Sequence, residues 1–144
     1  MIVPERLKAL IVDDNAYARA AAAATLRKLG LRQIVEVEGG AGAIGRLLAD
    51  PFDVMFMDWY MPEISGPGLL QVVRDKRFGP HGALPIVMMT AYPSRETIAR
   101  ARAEGVNEVL AKPFTEGHVA TALGRVLPSG WEVPGEPRQA GSGG

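Results

Sequence analysis

Short apolar runs alternate along this chain with segments of helical period. Leu7 to Val12 is an unbroken apolar stretch apart from Lys8, and it stops at Asp13-Asp14. Asn15 then stands where a helix needs a side-chain acceptor for its first free amides. An alanine-rich helix is predicted over Ala16 to Leu29, ended by Gly30. Gln33 to Val37 has the β-branched content of a second strand, followed by Glu38 and a glycine-rich, weakly helical stretch from Gly40 to Ala49. A third strand, buried-looking throughout, runs from Asp53 to Met57 and ends at Asp58. A loop containing Pro62, Gly66 and Pro67 leads to a helix over Gly68 to Arg74. Gly79, Pro80 and Gly82 make Lys76 to Leu84 another loop. Pro85 to Met89 is a fourth strand ending at Thr90, Ser94 caps a helix to Glu104, and Gly105 stops it. Asn107 to Ala111 is a fifth strand ending at Lys112. Beyond Pro113, Thr115 caps a last helix running to about Leu127.

Five strands alternating with five helices predict an α/β fold with a parallel sheet covered on both faces. The uninterrupted strands need that cover, because a sheet with one wet face shows polar alternation instead. After Pro128 the pattern changes to glycine, proline and polar residues. Residues 1–127 are thus expected to form one domain and 128–144 a flexible tail, with packing of Trp131 back onto the domain as the alternative.

Length and composition narrow the function. A chain of 144 residues is enough for one ordinary domain. Lysine plus arginine and aspartate plus glutamate balance at 16 each, which argues against a whole-chain nucleic-acid binder. There is no cysteine, which excludes a thiol nucleophile and a cysteine-ligated metal. Charged residues in Met1 to Lys8 do not suit a signal peptide. No segment approaches the roughly 20 apolar residues needed to cross a bilayer. A cytoplasmic protein with no membrane partner is the expectation.

Chemistry gathers at the strand ends. In an open α/β sheet, ligands bind outside the carboxyl ends of the strands. Asp13 and Asp14, Glu38, Asp58, Thr90 and Lys112 all fall there. Adjacent carboxylates repel one another, and a hard divalent cation removes the conflict. Mg2+ suits the set, because it takes few carboxylates and binds phosphate oxygens. A carboxylate nucleophile, a cation, a lysine and a hydroxyl together match phosphoryl transfer onto aspartate.

The segments ALIVDDN, VMFMDWYMPEISG, PIVMMTAY and VLAKPF, in this order and each at a strand end, resemble the receiver domains of two-component response regulators. The likeness covers roughly Leu7 to Leu127. It implies a flavodoxin-like, doubly wound (βα)5 fold with strand order 2-1-3-4-5. It also implies that Asp58 accepts a phosphoryl group from a histidine kinase or a histidine phosphotransfer protein. Asp14, Asp58 and the Tyr60 backbone carbonyl would hold Mg2+, with Asp13 acting mainly through a bound water. Lys112 and Thr90 would contact the phosphoryl group, and Lys112-Pro113 resembles the family's cis peptide. Phosphorylation would alter the face made by the fourth helix, fifth strand and fifth helix, which meets a downstream target. Partner docking would use the first helix and the loop after the fifth strand. The chain would be a phosphoacceptor in a phosphorelay and no enzyme beyond self-phosphorylation and self-dephosphorylation at Asp58. It would be monomeric or dimerise on phosphorylation, with no direct DNA binding.

One position departs from the family pattern. The aromatic usual three residues before the lysine is Val109, and Tyr92, two residues after Thr90, is placed to substitute for it. Tyr60 and Tyr92 occupy positions that influence water access to an aspartyl phosphate in the family. Three further signals have plainer readings. Gly40, Gly42 and Gly45 match the G-x-G-x-x-G of a small dinucleotide-binding domain, the alternative function, but Glu36 and Glu38 before them would repel a pyrophosphate. An aspartyl-nucleophile phosphatase would need an acid where Tyr60 stands. His81 and His118 lack metal-ligand partners at useful spacing and read as surface residues. The methionines, including Met55, Met57, Met61, Met88 and Met89, read as core.

Overall fold

The computed structural model describes residues 3–128 and residue 131, the side chains of residues 80 and 81 excepted. The elements follow the alternation of the sequence: β1 Lys8–Val12, α1 Ala16–Lys28, β2 Gln33–Val37, α2 Gly40–Ala49, β3 Val54–Asp58, α3 Gly66–Arg74, β4 Ile86–Thr90, α4 Arg95–Glu104, β5 Glu108–Ala111 and α5 Glu116–Val126. All strands are parallel and their order is β2-β1-β3-β4-β5. Met57 pairs with Val12 on one side and Met88 on the other, which sets the ends of the three central strands level.

Alternate residues of each strand serve opposite layers. Ala9, Ile11, Phe56, Val87 and Met89 face a core shared with Ala22, Ala23 and Leu26 of α1 and Val119 and Leu123 of α5. Leu10, Val12, Met55, Met57, Ile86 and Met88 face a second core with Leu47 of α2, Leu69, Leu70 and Val73 of α3, and Ala101 of α4. Every residue of β3 and β4 is buried, so neither strand shows polar alternation. All five methionines assigned to the core are buried there.

The helix caps are those the sequence marks. Asn15, Ser94 and Thr115 each accept a hydrogen bond from an amide of the first turn, and Gly30 and Gly105 end their helices at positive φ. One helix boundary differs by more than a residue. The third helix begins at Gly66, two residues before its expected start, because Ser65 caps it and Pro67 fits a first turn that has no use for an N–H. Gly66 is also packed flat on the chain: a Cβ there would lie 2.8 Å from the Trp59 carbonyl oxygen. Lys76–Phe78 and Pro80–Ala83, expected as loop, form single 3-10 turns.

Trp131 is packed back onto the domain. Its side chain is buried in the α1–α5 core, and its indole Nε1 donates to the Ala120 carbonyl at 3.1 Å. Gly124, one turn after Ala120, lies against the same ring. Small residues on that face of α5 leave room for an indole, whose area favours burial provided its N–H finds an acceptor. Residues 129–130 and 132–144, read as flexible tail, and the His81 side chain, read as surface, lie outside the described residues. Trp131→Ala is expected to lower unfolding stability by about 3 kcal/mol, and Trp131→Phe by about 1 kcal/mol, as the shift of a urea midpoint.

Candidate functional site

Parallel strands of matched register deliver their last residues to one rim. Asp13 and Asp14 follow β1, Asp58 and Thr90 end β3 and β4, and Lys112 follows β5. Asp13 and Thr90 are fully buried, Asp58 nearly so, and Asp14 is exposed. One carboxylate oxygen from each of Asp13, Asp14 and Asp58 lies within 4.8 Å of the others. Lys112 Nζ donates to Asp13 Oδ2 at 2.8 Å and stands 3.7 Å from Asp58 Oδ2. The structure thus brings these four residues together. Glu38 stays outside the cluster and lines a shallow groove beside Asp14 with the start of α2.

Asp13 is held on all sides. Its Oδ1 accepts from the Asn15 amide at 2.9 Å, and its carbonyl accepts from Arg19 Nη1 at 2.8 Å. The sequence pattern gave Asn15 only as a cap and did not mark Arg19. The sole signal for Arg19 would be its place on the first turn of α1 beside the carboxylate pair. The Thr90 hydroxyl accepts from the Tyr92 amide at 3.0 Å, and the Thr90 carbonyl from the Lys112 amide at 2.8 Å. The Lys112-Pro113 peptide is cis. Tyr60 and Tyr92 are exposed and meet edge to face, ring centroids 6.0 Å apart. Val109 is half-buried against the α2–α4 core. His118 is exposed and accepts the Thr115 amide hydrogen at Nδ1, completing a helix cap.

The electrostatics follow from crowding. Burial pushes the Asp58 carboxyl above its ordinary range, Lys112 opposes it, Asp13 and Asp14 add to it, and a hydrogen bond from the Tyr60 amide opposes it again. The donor set suits a small hard cation. Ligands on opposite sides of a Mg2+ ion are about 4.2 Å apart. Three carboxylate oxygens within 4.8 Å of one another are close enough to serve one such ion.

The model of the response regulator receiver domain matches residues 9–124. This chain belongs to the response regulator receiver family. Chemotaxis protein CheY-3 of Vibrio cholerae is 35% identical over 126 residues, covering 88% of this chain and 95% of that one. Chemotaxis protein CheY of Pseudomonas aeruginosa is 38% identical over 109 residues, covering 76% and 86%. Among solved structures, Vibrio cholerae CheY4 superposes with a TM-score of 0.76 at 30% identity, covering 84% of this chain and 98% of that chain. The receiver domain of a Pseudomonas aeruginosa sensor histidine kinase, solved with magnesium coordinated in its active-site cleft, gives 0.75 at 27%, covering 83% and 96%. The flavodoxin-like order 2-1-3-4-5 expected for a receiver is the order found.

The dinucleotide reading has no support in this receiver. Gly40 is buried, and a Cβ on it would lie 2.7 Å from Ile64, so close packing of the start of α2 against the loop before α3 accounts for the glycine. No helix among the described residues is long and apolar enough to cross a membrane.

Because the folded state raises the Asp58 pKa, the stability it contributes is present at low pH and lost as pH rises through the folded value. Asp58→Asn removes that charge. Thermal melts without divalent cation are expected to show Asp58→Asn above the native chain at pH 7. The gap should close as pH falls and the native carboxyl takes up its proton.

Proposed function

We propose that Asp58 accepts a phosphoryl group from a phosphohistidine of a histidine kinase or histidine phosphotransfer protein. The receiver then signals through the α4-β5-α5 face. The observation that supports this most is the approach of Asp58, Asp13 and Asp14 to within 4.8 Å, with Lys112 Nζ at 3.7 Å from Asp58. A nucleophile, two flanking acids and a fixed cation are the parts that phosphoryl transfer onto a carboxylate requires.

In the transfer, an Asp58 oxygen attacks phosphorus, the P–N bond breaks, and the imidazole leaves with the electron pair and takes up a proton. Asp14, Asp58 and the Tyr60 backbone carbonyl would hold Mg2+, with Asp13 through a water. The ion would supply charge neutralisation for the equatorial oxygens. Lys112, whose Nζ stands 3.7 Å from Asp58 Oδ2, would meet one of those oxygens. The Thr90 hydroxyl accepts from Tyr92 through its oxygen, which leaves its own proton for another. Tyr92 is thereby tied to Thr90 by its amide and to Tyr60 by its ring. With Val109 in the usual aromatic position, this pair offers an alternative relay from the site. The downstream partner is a protein, and the chain works in the cytoplasm as a switch, a relay intermediate or a phosphate sink.

Incubation with radiolabelled histidine kinases of the host is expected to label the native chain and leave Asp58→Asn unlabelled. Equal labelling of the two would remove Asp58 as the acceptor. The family resemblance gives Tyr60 and Tyr92 a place in controlling water access to an aspartyl phosphate, and the edge-to-face contact of the two rings is in keeping with a shield. Replacing both, Tyr60→Ala with Tyr92→Ala, should shorten the lifetime of the labelled phosphate several-fold. A native chain that loses label faster than the double variant would refute a shielding role.

A further inference from the structure

Every polar group of Asp13 has a partner. Its amide donates to the Val37 carbonyl at 3.2 Å, Oδ1 accepts from the Asn15 amide, and Oδ2 accepts from Lys112. The fourth partner is Arg19, whose Nη1 reaches the Asp13 carbonyl at 2.8 Å. Arg19 lies on α1, and only 15% of its side chain is exposed. Its Nε stands 3.6 Å from Glu36 Oε1 on β2, so one planar guanidinium spans helix α1, the β1–α1 turn and the edge strand. Arg27 adds a looser contact to the same carboxylate at 3.9 Å.

The carbonyl that Arg19 holds belongs to the peptide joining Asp13 to Asp14. That unit is planar, so fixing the carbonyl oxygen also fixes the Asp14 amide on its other side. Asp14 is the exposed member of the acidic cluster, and among the described residues no side chain hydrogen-bonds or ion-pairs with it as Lys112 does with Asp13. Its direction depends on the backbone that carries it. Without Arg19, the carbonyl of a fully buried residue would also lose its partner, a loss that favours rotation of the peptide toward a new donor.

We propose that Arg19 is a positioning residue for the cation site. It clamps the Asp13–Asp14 peptide so that the Asp14 carboxylate faces Asp58, and Glu36 holds the guanidinium in place. Arg19 does not touch the ion. The inference rests on the reading that Asp13, Asp14 and Asp58 bind Mg2+.

The test is a Mg2+ titration of the full chain followed by amide NMR shifts, with Arg19→Gln, Arg19→Lys and Glu36→Gln beside the native protein. Arg19→Gln is expected to raise the Mg2+ Kd about tenfold, the usual effect of losing a partner of a metal ligand. Arg19→Lys should recover part of the loss, because an ammonium can still donate to the carbonyl. Glu36→Gln should fall between Arg19→Lys and native. In ion-free protein, the residual dipolar coupling of the Asp14 N–H should change in Arg19→Gln, while couplings in β3 and β4 stay native. A native Kd in Arg19→Gln overturns the proposal, as does an unchanged Asp14 coupling or a change spread through the sheet. A native chain that binds no Mg2+ overturns the cation reading and the proposal with it, and is recognised by its independence from residue 19.

Discussion

Lys112 is what allows three carboxylates to share one end of this sheet. Asp13 is fully buried and Asp58 nearly so, and two such charges side by side would favour protonation or displacement of one of them. The ammonium of Lys112 sits 2.8 Å from one and 3.7 Å from the other. It arrives from the end of β5, two strands away from β3 and three from β1 in the sheet order. The pairing therefore depends on the whole sheet: the strands between must be flat enough in register to bring residues 13 and 112 to the same rim. The apolar runs that fill both faces serve the site by fixing that register.

Most of the fold could be read from the sequence because the strands are buried on both sides. Val54 to Met57 and Ile86 to Met89 have no polar interruption, which suits only a covered parallel strand, and caps and glycines framed the helices between them. The errors fall where one residue carries two meanings. Gly66 and Pro67 signal a turn by composition, yet at a helix start Pro fits the first turn and Gly permits contact with the Trp59 backbone. Trp131 stands among glycines and prolines, and its burial depends on small residues of α5 that no local pattern links to it.

The site divides in the same way. Asp13, Asp14, Asp58, Thr90 and Lys112 were legible because each has reactive chemistry and stands at a strand end. Arg19 was not, because an arginine on an exposed-looking helix reads as solubility until the carbonyl it meets is known. The Tyr60–Tyr92 contact joins two loops separated in sequence, and only the parallel packing of β3 beside β4 makes them neighbours.

The two tryptophans of the chain fall on opposite sides of the sheet. Trp59 adjoins Asp58 and belongs to the α2–α4 layer, whereas Trp131 belongs to the α1–α5 layer. The intrinsic fluorescence of this protein is therefore a sum of two reporters, one beside the acidic rim and one remote from it. An emission change on adding an ion or a phosphate mimic has a definite origin only in a chain from which one indole has been removed.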